Sequence, residues 1–399
     1  MQSVDLPILP LATPAVKVGF LIQHYPPYLG GAECQARDLA EALVSRGHTV
    51  EVATTRWDRS EPLREARQGV GIRRWPTPRL RWLRFPWNLL TGFAAGWSLS
   101  GRCQILHGHC LSAFVLGGLV AARWRGCPAL VKPCSLGPDG DVARIRRPWM
   151  LGLAWWMARS AQGFLVQTRA VGAELQGEGI PQARIHRLPS LFPRLGAECS
   201  DSAHPLSPPS AQVLYVGRLH PGKGLHTLMA AWPAVARSTG WRWTVVGDGP
   251  MRQEMLDWIE REGLQDSVAL VGYQPDPTPW FRNAEVLVFP SYSESFGNVL
   301  VEALQAGCGV LTTRVGVAAD WPAEAPVIRL PSADPRAWEQ ALRDWAAQPE
   351  TRRLSRRRAA RQFARAHHHP DGVLSRLEAL YLGHIDAAVG GSAGRGGAA

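Results

Sequence analysis

Two carboxylates, Glu294 and Glu302, stand in one short segment of the sequence, Pro290-Ser-Tyr-Ser-Glu-Ser-Phe-Gly-Asn-Val-Leu-Val-Glu302. The apolar run over residues 284–289 before it predicts a buried strand, and residues 297–306 predict a helix. Glu294 therefore belongs to a strand-to-helix loop, and Glu302 is expected about two turns into the helix. Carboxylates in these places can accept hydrogen bonds from the hydroxyl groups of a polyol.

The amides of Phe296, Gly297 and Asn298 are expected to point out of the N-terminus of this helix. That end carries about half a positive charge and N–H donors that have no partner inside the helix. Both properties suit a phosphate group or the hydroxyls of a sugar.

A second segment, Val216-Gly217-Arg218-Leu-His-Pro-Gly-Lys223-Gly224, also follows a predicted strand and opens a predicted helix. Its glycines let the backbone approach a phosphate, and Arg218 and Lys223 supply positive charge for a diphosphate. The same letters match the start of a P-loop. A P-loop, however, needs Ser or Thr after the lysine to hold magnesium, and Gly224 stands there, which disfavours a nucleoside triphosphatase.

Three shorter motifs lie at the ends of other predicted strands. Gly30-Gly31-Ala-Glu33 follows the first strand, His107-Gly-His109 ends another, and Gly272-Tyr273 follows a third. Taken singly, each has an ordinary structural interpretation, as a tight turn or a packed histidine. Together they place small and polar residues at the ends of several strands, which is where α/β proteins bind ligands.

In this order and spacing the motifs resemble those of the retaining GT-B glycosyltransferases, the glycogen-synthase, sucrose-synthase and mannosyltransferase group. The resemblance extends from about Val16 to about Arg365. It implies an α/β protein of GT-B fold, in which two Rossmann-like doubly wound domains face a central cleft.

The resemblance also implies a role for individual residues. Arg218 and Lys223 bind the departing nucleotide diphosphate, Glu294 holds hydroxyls of the donor sugar, and His109 contacts the transferred sugar. Glu302 binds the ribose hydroxyls. The implied donor-binding set is Gly30, Gly31, Gly217, Gly272, Tyr273, Phe296, Gly297, Asn298 and Glu302, beside the catalytic set His109, Arg218, Lys223 and Glu294.

The sequence departs from this family at four places. Gly309 follows Cys308 where the family often has proline, and Val315-Gly316-Val317 replaces a Gly-Gly turn. Pro189–Pro193 replaces a common Asn-Gly-Val-Asp, and Lys132–Asp141 stands where a second histidine is usual. These changes leave the donor base, the sugar and the acceptor open, but not the reaction class.

No cofactor and no obligatory metal are predicted. Asp139-Gly-Asp141 matches the DxD metal motif of a different glycosyltransferase fold, but chance matches are common and two cations already serve the diphosphate. We interpret it as a loop on the acceptor side. The seven cysteines are scattered without CxxC spacing, which predicts free thiols in a reducing compartment.

Short apolar runs alternate with helical patterns along the 399 residues, which favours parallel sheets covered on both faces. Residues 196–211 are rich in Ser, Pro and small residues and predict a linker. The expected organisation is an acceptor domain (1–195), a nucleotide-sugar donor domain with C-terminal helices (212–388) and a disordered tail (389–399). The predicted strands cover residues 16–22, 49–53, 104–107, 129–132, 163–166, 184–188, 212–216, 242–246, 268–271, 285–289 and 309–312.

The net charge of +11 comes almost entirely from arginine, and the segment Arg73–Trp87 interleaves arginine with aromatic residues. A second patch of this kind is Arg144–Trp156. Arg and Trp together suit an anionic membrane surface; the alternative is core tryptophans with a solvated arginine face, and proline is expected to interrupt any helix in the first patch. No nucleic-acid motif accompanies the charge, so nucleic-acid binding is not predicted.

The sequence thus predicts a retaining hexosyltransferase that uses a nucleotide-diphosphate sugar. By analogy with bacterial relatives, its acceptor is a glycan or a lipid-linked molecule of cell-envelope or exopolysaccharide synthesis. With no basic n-region and no apolar run of about 20 residues, a cytoplasmic location is expected, with peripheral contact to the inner membrane face left open. The rivals are a GT-B sugar epimerase or phosphorylase and a non-enzymatic membrane scaffold.

Overall fold

The computed structural model describes residues 14–27, 30–137, 140–146, 152–192 and 211–393. Within these ranges strands and helices alternate and build two sheets, each covered by helices on both faces. The predicted linker and residue Asp139 lie outside the described residues, apart from residue 211, which begins a strand.

The first domain contains one sheet with the strand order β3-β4-β2-β1-β5-β6-β7-β8, parallel except between β3 and β4. Its strands are β1 (Lys17–Ile22), β2 (Thr49–Arg56), β3 (Arg64–Arg67), β4 (Val70–Pro76), β5 (Ile105–His109), β6 (Ala129–Lys132), β7 (Gly163–Val166) and β8 (Ile185–Arg187). Its helices are α1 (Gly31–Ser45), α2 (Arg84–Ser100), α3 (Ala113–Trp124), α4 (Asp141–Ile145), α5 (Leu153–Ala158) and α6 (Arg169–Gly177).

The second domain contains a parallel sheet with the order β11-β10-β9-β12-β13-β14. Its strands are β9 (Ala211–Val216), β10 (Trp243–Val246), β11 (Val268–Gly272), β12 (Ala284–Phe289), β13 (Gly309–Thr312) and β14 (Val327–Arg329). The helices that follow in the chain are α7 (Leu225–Thr239), α8 (Arg252–Arg261), α9 (Thr278–Arg282), α10 (Asn298–Ala306), α11 (Gly316–Asp320), α12 (Pro335–Ala346), α13 (Glu350–His367) and α14 (Pro370–Ala393).

Both sheets reverse their strand order at one point, between β1 and β5 in the first domain and between β9 and β12 in the second. In doubly wound sheets, ligands bind outside the carboxyl ends of the strands at this reversal. The predicted site residues follow these strands: the Gly30 turn after β1, His109 at the end of β5, Gly217 after β9 and Glu294 after β12. The strand order by itself therefore places these predicted site residues at the carboxyl ends of the central strands.

All of the predicted strands are present, with ends shifted by a few residues, and three strands were missed. β3 is a short edge strand whose residues are mostly exposed, and β4 buries alternate residues between arginines, so neither forms an apolar run. One prediction about the site needs correction. Because α10 begins at Asn298, Glu302 lies about one turn into the helix and not two.

As expected, no continuous helix runs through the first Arg/Trp segment, which starts in β4 and passes through a loop; only its last residues belong to an α-helix, α2. α2 begins at Arg84, so Pro86 falls in its first turn, where a missing N–H costs no hydrogen bond. α2 then packs on α3 backbone to backbone. A Cβ on Gly92 would lie 1.9 Å from the carbonyl oxygen of Phe114, and a Cβ on Gly96 would lie 2.5 Å from Gly118. The glycines are what allow this approach.

The last helix, α14, crosses back to the first domain. Leu374, Leu377 and Tyr381 are buried in one cluster with residues of β1, including Phe20, and the Tyr381 hydroxyl lies 2.7 Å from His107 Nδ1. The assignment of every C-terminal helix to the second domain is therefore corrected for α14. The predicted disordered tail is also corrected for residues 389–393, which continue the helix although two of them are glycines.

The turn between α13 and α14 is anchored by His368, which caps α13. Its ring is buried at 3% exposure, accepts a hydrogen bond of 2.9 Å from Trp321 Nε1 and lies against Phe296 with ring centroids 6.2 Å apart. Burial, together with the neighbouring His367, lowers the pKa of His368 to about 4. The crossover between the domains thus packs directly against the start of α10.

We expect the folded state to lose stability as the pH falls from about 6.5 toward 4, because of His368. The folded pKa of His368 lies below the value of about 6.5 for an exposed histidine, so the unfolded chain takes up the proton first. The contribution of the neutral His368 ring to the free energy of unfolding is complete above pH 6.5 and disappears toward pH 4. Urea unfolding should show a loss of about 2 kcal/mol from this group between pH 7 and pH 5.

His368→Gln keeps an acceptor for Trp321 but cannot titrate. The free energy of unfolding of this variant should therefore lose about 2 kcal/mol less than that of the wild type between pH 7 and pH 5. His226→Gln, at a half-exposed histidine on α7, is the matched control and should leave it unchanged. An unaltered slope in His368→Gln would show that the buried ring does not set the acid stability.

Candidate active site

The centre of the candidate site is a contact between Lys223 and Glu294. Lys223 Nζ lies 2.5 Å from Glu294 Oε1, and the Ser291 hydroxyl donates to the same oxygen at 2.8 Å. The Glu294 side chain is mostly buried. The two partners fix the direction of the carboxylate, and they bring together two residues that are distant in the sequence.

Lys223 and Glu294 meet because their loops are locked to each other. Tyr292 N donates to the Gly222 carbonyl oxygen at 3.1 Å. Gly224 has a φ of +69°, and a Cβ there would lie 2.1 Å from the Pro290 carbonyl oxygen. The serine or threonine of a P-loop could not occupy this position. The structure therefore supplies a physical reason for rejecting the P-loop interpretation.

Arg218 lies at the edge of this arrangement. Its side chain is exposed, and we find no hydrogen bond or ion pair of its guanidinium within the described ranges. Its carbonyl oxygen accepts a hydrogen bond of 3.0 Å from the Tyr215 hydroxyl. Burial, and secondarily the charge of Glu294, raise the pKa of Tyr215, which keeps this hydroxyl protonated. The backbone at Arg218 is thereby held while its side chain stays available at the rim.

The N-terminus of α10 faces the first domain. Gly297 is its N-cap, with a φ of +87° and no side-chain cap. Across the cleft, a Cβ on Gly31 would lie 3.6 Å from Asn298 Nδ2. The predicted Gly30–Gly31 turn and the Phe296–Asn298 segment therefore do meet. At the start of α1, the Glu33 carboxylate accepts the amides of Gly30 and Glu33, and burial raises its pKa.

Glu302, Tyr273 and Cys34 mark a second part of the cleft. Burial raises the pKa of Cys34, which belongs to α1, and Glu302 is among the neighbouring groups that raise it further. Tyr273 follows Gly272 (φ +82°), is half exposed, and its pKa is raised by burial and by Cys34. Glu302 and Tyr273 of the second domain thus lie around one residue of the first.

His109 lies at the base of the cleft, at the end of β5. Its ring is buried and stacks on His107 at 4.2 Å and 16°. Burial holds the pKa of His109 well below 6.5, so the ring is neutral. In the part of the chain that the structure describes, His109 Nε2 has no hydrogen-bond partner. A neutral imidazole with a spare nitrogen can bind a hydroxyl group, but this nitrogen is buried here, so the contact of His109 with a sugar stays a prediction.

Hydrogen bonds between the domains surround the Glu294 loop. The Ser295 hydroxyl donates to the Cys134 carbonyl oxygen at 2.8 Å, and the Thr168 hydroxyl donates to the Ser295 carbonyl oxygen at 2.9 Å. Asp320 accepts from Arg187 and from the Arg169 amide, each at 2.9 Å. Sequence reasoning missed these residues. Only Thr168 carried a recognisable pattern, as the N-cap of α6.

One group of side chains in the described ranges could hold a metal ion. The sulfurs of Cys110 and Cys134 and a carboxylate oxygen of Asp141 lie within 4.8 Å of one another. The carboxylate is, however, already used to join two loops. Asp141 Oδ2 accepts the amides of Leu111 at 3.2 Å and Cys134 at 2.7 Å, and Oδ1 accepts the Ser135 hydroxyl at 2.8 Å. Asp141 itself begins α4, so the predicted loop is corrected for this residue, although its side chain joins two loops.

Two family models match the chain. The model described as "Glycosyl transferase 4-like domain" matches residues 30–190, and the one described as "Glycosyl transferases group 1" matches residues 210–348. Both models describe glycosyltransferase domains, and the chain is a glycosyltransferase. The two matched ranges fall in the two Rossmann-like domains, one model in each.

Curated relatives of this glycosyltransferase include two proteins of Streptomyces. It is 27% identical to the 2-deoxystreptamine N-acetyl-D-glucosaminyltransferase of Streptomyces fradiae over 82% of this chain and 84% of that protein. It is 31% identical to the 2-deoxystreptamine glucosyltransferase of Streptomyces kanamyceticus over 51% of this chain. The latter match spans 57% of that relative's length.

Solved structures show that the glycosyltransferase has the GT-B fold. Sucrose-phosphate synthase from Thermosynechococcus elongatus superposes with a TM-score of 0.76 at 22% identity, over 93% of this chain and all of that one. Anabaena HepE superposes with a TM-score of 0.71 at 18% identity, over 92% and 99%. The predicted fold class, two doubly wound domains about a cleft, is confirmed.

Proposed function

We propose that the protein is a retaining glycosyltransferase that moves a hexose from a nucleotide-diphosphate sugar to a hydroxyl of a glycan or lipid-linked acceptor. The observation that carries the proposal is the Lys223–Glu294 contact at the N-terminus of α10. It combines a cation and helix amides for a diphosphate with a carboxylate for sugar hydroxyls. The structure of HepE in complex with UDP-glucose, and the sugar transfer in the names of the Streptomyces relatives, support it.

In the proposed reaction, Arg218, Lys223 and the α10 amides stabilise the diphosphate as it leaves the anomeric carbon. Glu294 orients the sugar hydroxyls. The acceptor oxygen bonds to the anomeric carbon on the face that the diphosphate leaves, and a departing phosphate oxygen takes the acceptor's proton. This route retains configuration, requires no side-chain nucleophile and requires no metal, because the two cations neutralise the leaving group.

The donor class can be tested by thermal stabilisation with UDP, GDP, ADP and TDP. A nucleotide at 100 times its dissociation constant should add about 2.7 kcal/mol of stability, which gives a clear shift in Tm. Glu302→Ala removes the proposed ribose ligand and should abolish most of the shift. If no nucleotide shifts the wild-type protein, the donor-site proposal and the function built on it fall, and a non-enzymatic scaffold becomes the better interpretation.

Turnover tests the proposed roles of Glu294 and Arg218. Glu294→Gln preserves the shape of the side chain but removes the charge that faces Lys223, and Arg218→Ala removes a cation from the leaving group. Each should raise the activation barrier by about 2–4 kcal/mol, seen as a loss of most of the nucleotide-release rate. Glu254→Gln, at an exposed glutamate of α8, is the control. A rate near that of the wild type would remove the altered residue from the mechanism.

The proposed lipid-linked acceptor accords with an apolar surface on α2 and α3, which we call the tryptophan face. Trp87, Leu90 and Trp97 form an exposed stripe at helical spacing along α2. Phe93 stacks on Trp97 at 6.0 Å and meets Trp124 of α3 edge to face at 5.3 Å. The close packing of the two helices makes these side chains one continuous surface.

Arginine accompanies the tryptophan face. The Arg125 guanidinium lies 4.8 Å from the centre of the Trp97 ring. Arg125 is the C-cap of α3, and Arg123 lies in the last turn of that helix. Aromatic rings at headgroup depth with arginine beside them suit an anionic bilayer surface. The described residues include no helix that is long and apolar enough to cross a membrane, so the proposed contact is peripheral. Of the second Arg/Trp patch, residues 147–151 lie outside the described ranges.

Co-sedimentation with vesicles tests the membrane contact. Wild-type protein should bind vesicles that contain anionic lipid, because apolar burial and charge attraction add, and it should bind neutral vesicles more weakly. The double variant Trp97→Ala/Trp124→Ala should lose most of this binding. Leu256→Ala, at an exposed apolar residue of α8, is the control. Equal binding of both variants would contradict a role for the tryptophan face.

A further inference from the structure

Two thiols lie side by side where the first domain meets the Glu294 loop. Cys110 directly follows β5, and Cys134 follows the neighbouring strand β6 by two residues. Their sulfurs lie within 4.8 Å of each other, and both residues are partly exposed. The Cys110 amide donates to the Lys132 carbonyl oxygen at 2.8 Å, so the two strand ends remain hydrogen-bonded at this point.

The backbone holds the thiols together independently of the sulfurs. The Asp141 carboxylate oxygen Oδ2 accepts the amide of Cys134 and the amide of Leu111, the residue after Cys110. Cys110 itself has a φ of +63°, a left-handed conformation that non-glycine residues adopt rarely. The close approach is therefore built into the loops, and since Asp141 is engaged as their brace, the sulfurs are the groups left for chemistry.

A buried cation accompanies the pair. Lys132 is 7% exposed, and no hydrogen bond or ion pair of its ammonium occurs within the described ranges. Burial lowers the pKa of Lys132, while the Cys134 and Cys110 thiols act in the opposite direction. The hydrogen bond between the two thiols, and then burial, raise the pKa of Cys110 well above its usual range, so Cys110 is a thiol in the reduced protein. The thiolate is the form of cysteine that attacks a disulfide.

The thiol pair is directly connected to the second domain. The carbonyl oxygen of Cys134 is the acceptor for the Ser295 hydroxyl, and Ser295 follows Glu294 in the chain. A disulfide needs a sulfur–sulfur distance of about 2.05 Å. We expect closing the gap to draw the Cys134 segment toward β5 and to strain its hydrogen bond to Ser295. This hydrogen bond is the contact through which a change at the sulfurs would reach the loop that carries Glu294.

We propose that Cys110 and Cys134 form a reversible disulfide that releases the Ser295 contact and loosens the Glu294 loop from the first domain. The disulfide itself does not depend on the proposed function; its effect on donor binding does.

The oxidant is a small-molecule disulfide such as oxidised glutathione. The Cys134 thiolate attacks one of its sulfurs, forms a mixed disulfide and releases one thiolate. Cys110 then attacks the Cys134 sulfur and releases the second. Two protein thiols are oxidised, one small disulfide is reduced, and the two thiol protons end on the two released thiolates. Excess reduced thiol reverses both steps.

The test is oxidation of the full-length protein with oxidised glutathione in the presence of EDTA, followed by intact mass, peptide mapping and hydrogen exchange. We expect a Cys110–Cys134 linked peptide that dithiothreitol removes, and faster amide exchange over residues 290–298. Losing one hydrogen bond should change the local opening equilibrium about 2- to 10-fold. If the proposed function holds, UDP should bind the oxidised protein more weakly by a similar factor.

Cys110→Ser and Cys134→Ser should each prevent the linked peptide and keep residues 290–298 protected after oxidation. The control is Cys103→Ser/Cys127→Ser, at a buried pair just before the amino ends of β5 and β6; it should behave as the wild type. The proposal is overturned if no linked peptide forms, if it forms without faster exchange at residues 290–298, or if the thiols resist alkylation until EDTA is added, which would indicate a metal site. A missing UDP response with the other results intact would count against the proposed function alone.

Discussion

The cleft is organised around the contact between two loops of the second domain, one after β9 and one after β12. Gly224 lets the first loop touch the Pro290 carbonyl, and from that approach Lys223 reaches Glu294. Any side chain at Gly224 would separate the loops and, with them, the opposite charges. A single steric condition on the backbone therefore decides the electrostatics of the site, and α10 can present its N-terminus only because this loop is fixed.

The same loop is also where the domains are joined. Ser295 is bonded on both sides to the first domain, through Cys134 and Thr168, and Phe296 packs against the buried ring of His368 at the crossover into α14. The contact between the domains, the position of the carboxylate and the path of the C-terminal helix thus all depend on one packed segment. Conformational changes of such two-domain proteins usually turn on a few residues at element ends, and these residues occupy such positions.

Burial explains the chemical character of the first domain's side of the cleft. His107 and His109 stack within the sheet, and burial lowers the pKa of His107 to about 3, so both rings are neutral polar groups rather than cations. The positive charge that we propose for the leaving group belongs instead to Arg218 and Lys223 in the second domain. In the proposed reaction the two halves of the cleft therefore differ in chemistry, with neutral polar groups on one side and cations on the other.

The sequence by itself determined the alternation of strands and helices, the two domains and the ends of strands at which the candidate residues lie. Apolar runs, glycine turns and the positions of Lys223 and Glu294 are local patterns, so they can be read without coordinates. Prediction from the sequence failed for β4, where only alternate residues are buried. It also failed for α14, because the Gly/Ala-rich end of that helix gave no sign that its earlier turns cover the first sheet.

Only the tertiary structure decided which residues touch. The bonds of Ser295 to Cys134 and of Asp320 to Arg187, the continuous tryptophan face and the proximity of Cys110 to Cys134 all join segments far apart in the chain. No local pattern encodes such contacts, because they depend on the packing of one sheet against helices and of one domain against the other. The physical reason is that periodicity specifies which face of an element is buried, whereas its partner is chosen by the whole fold.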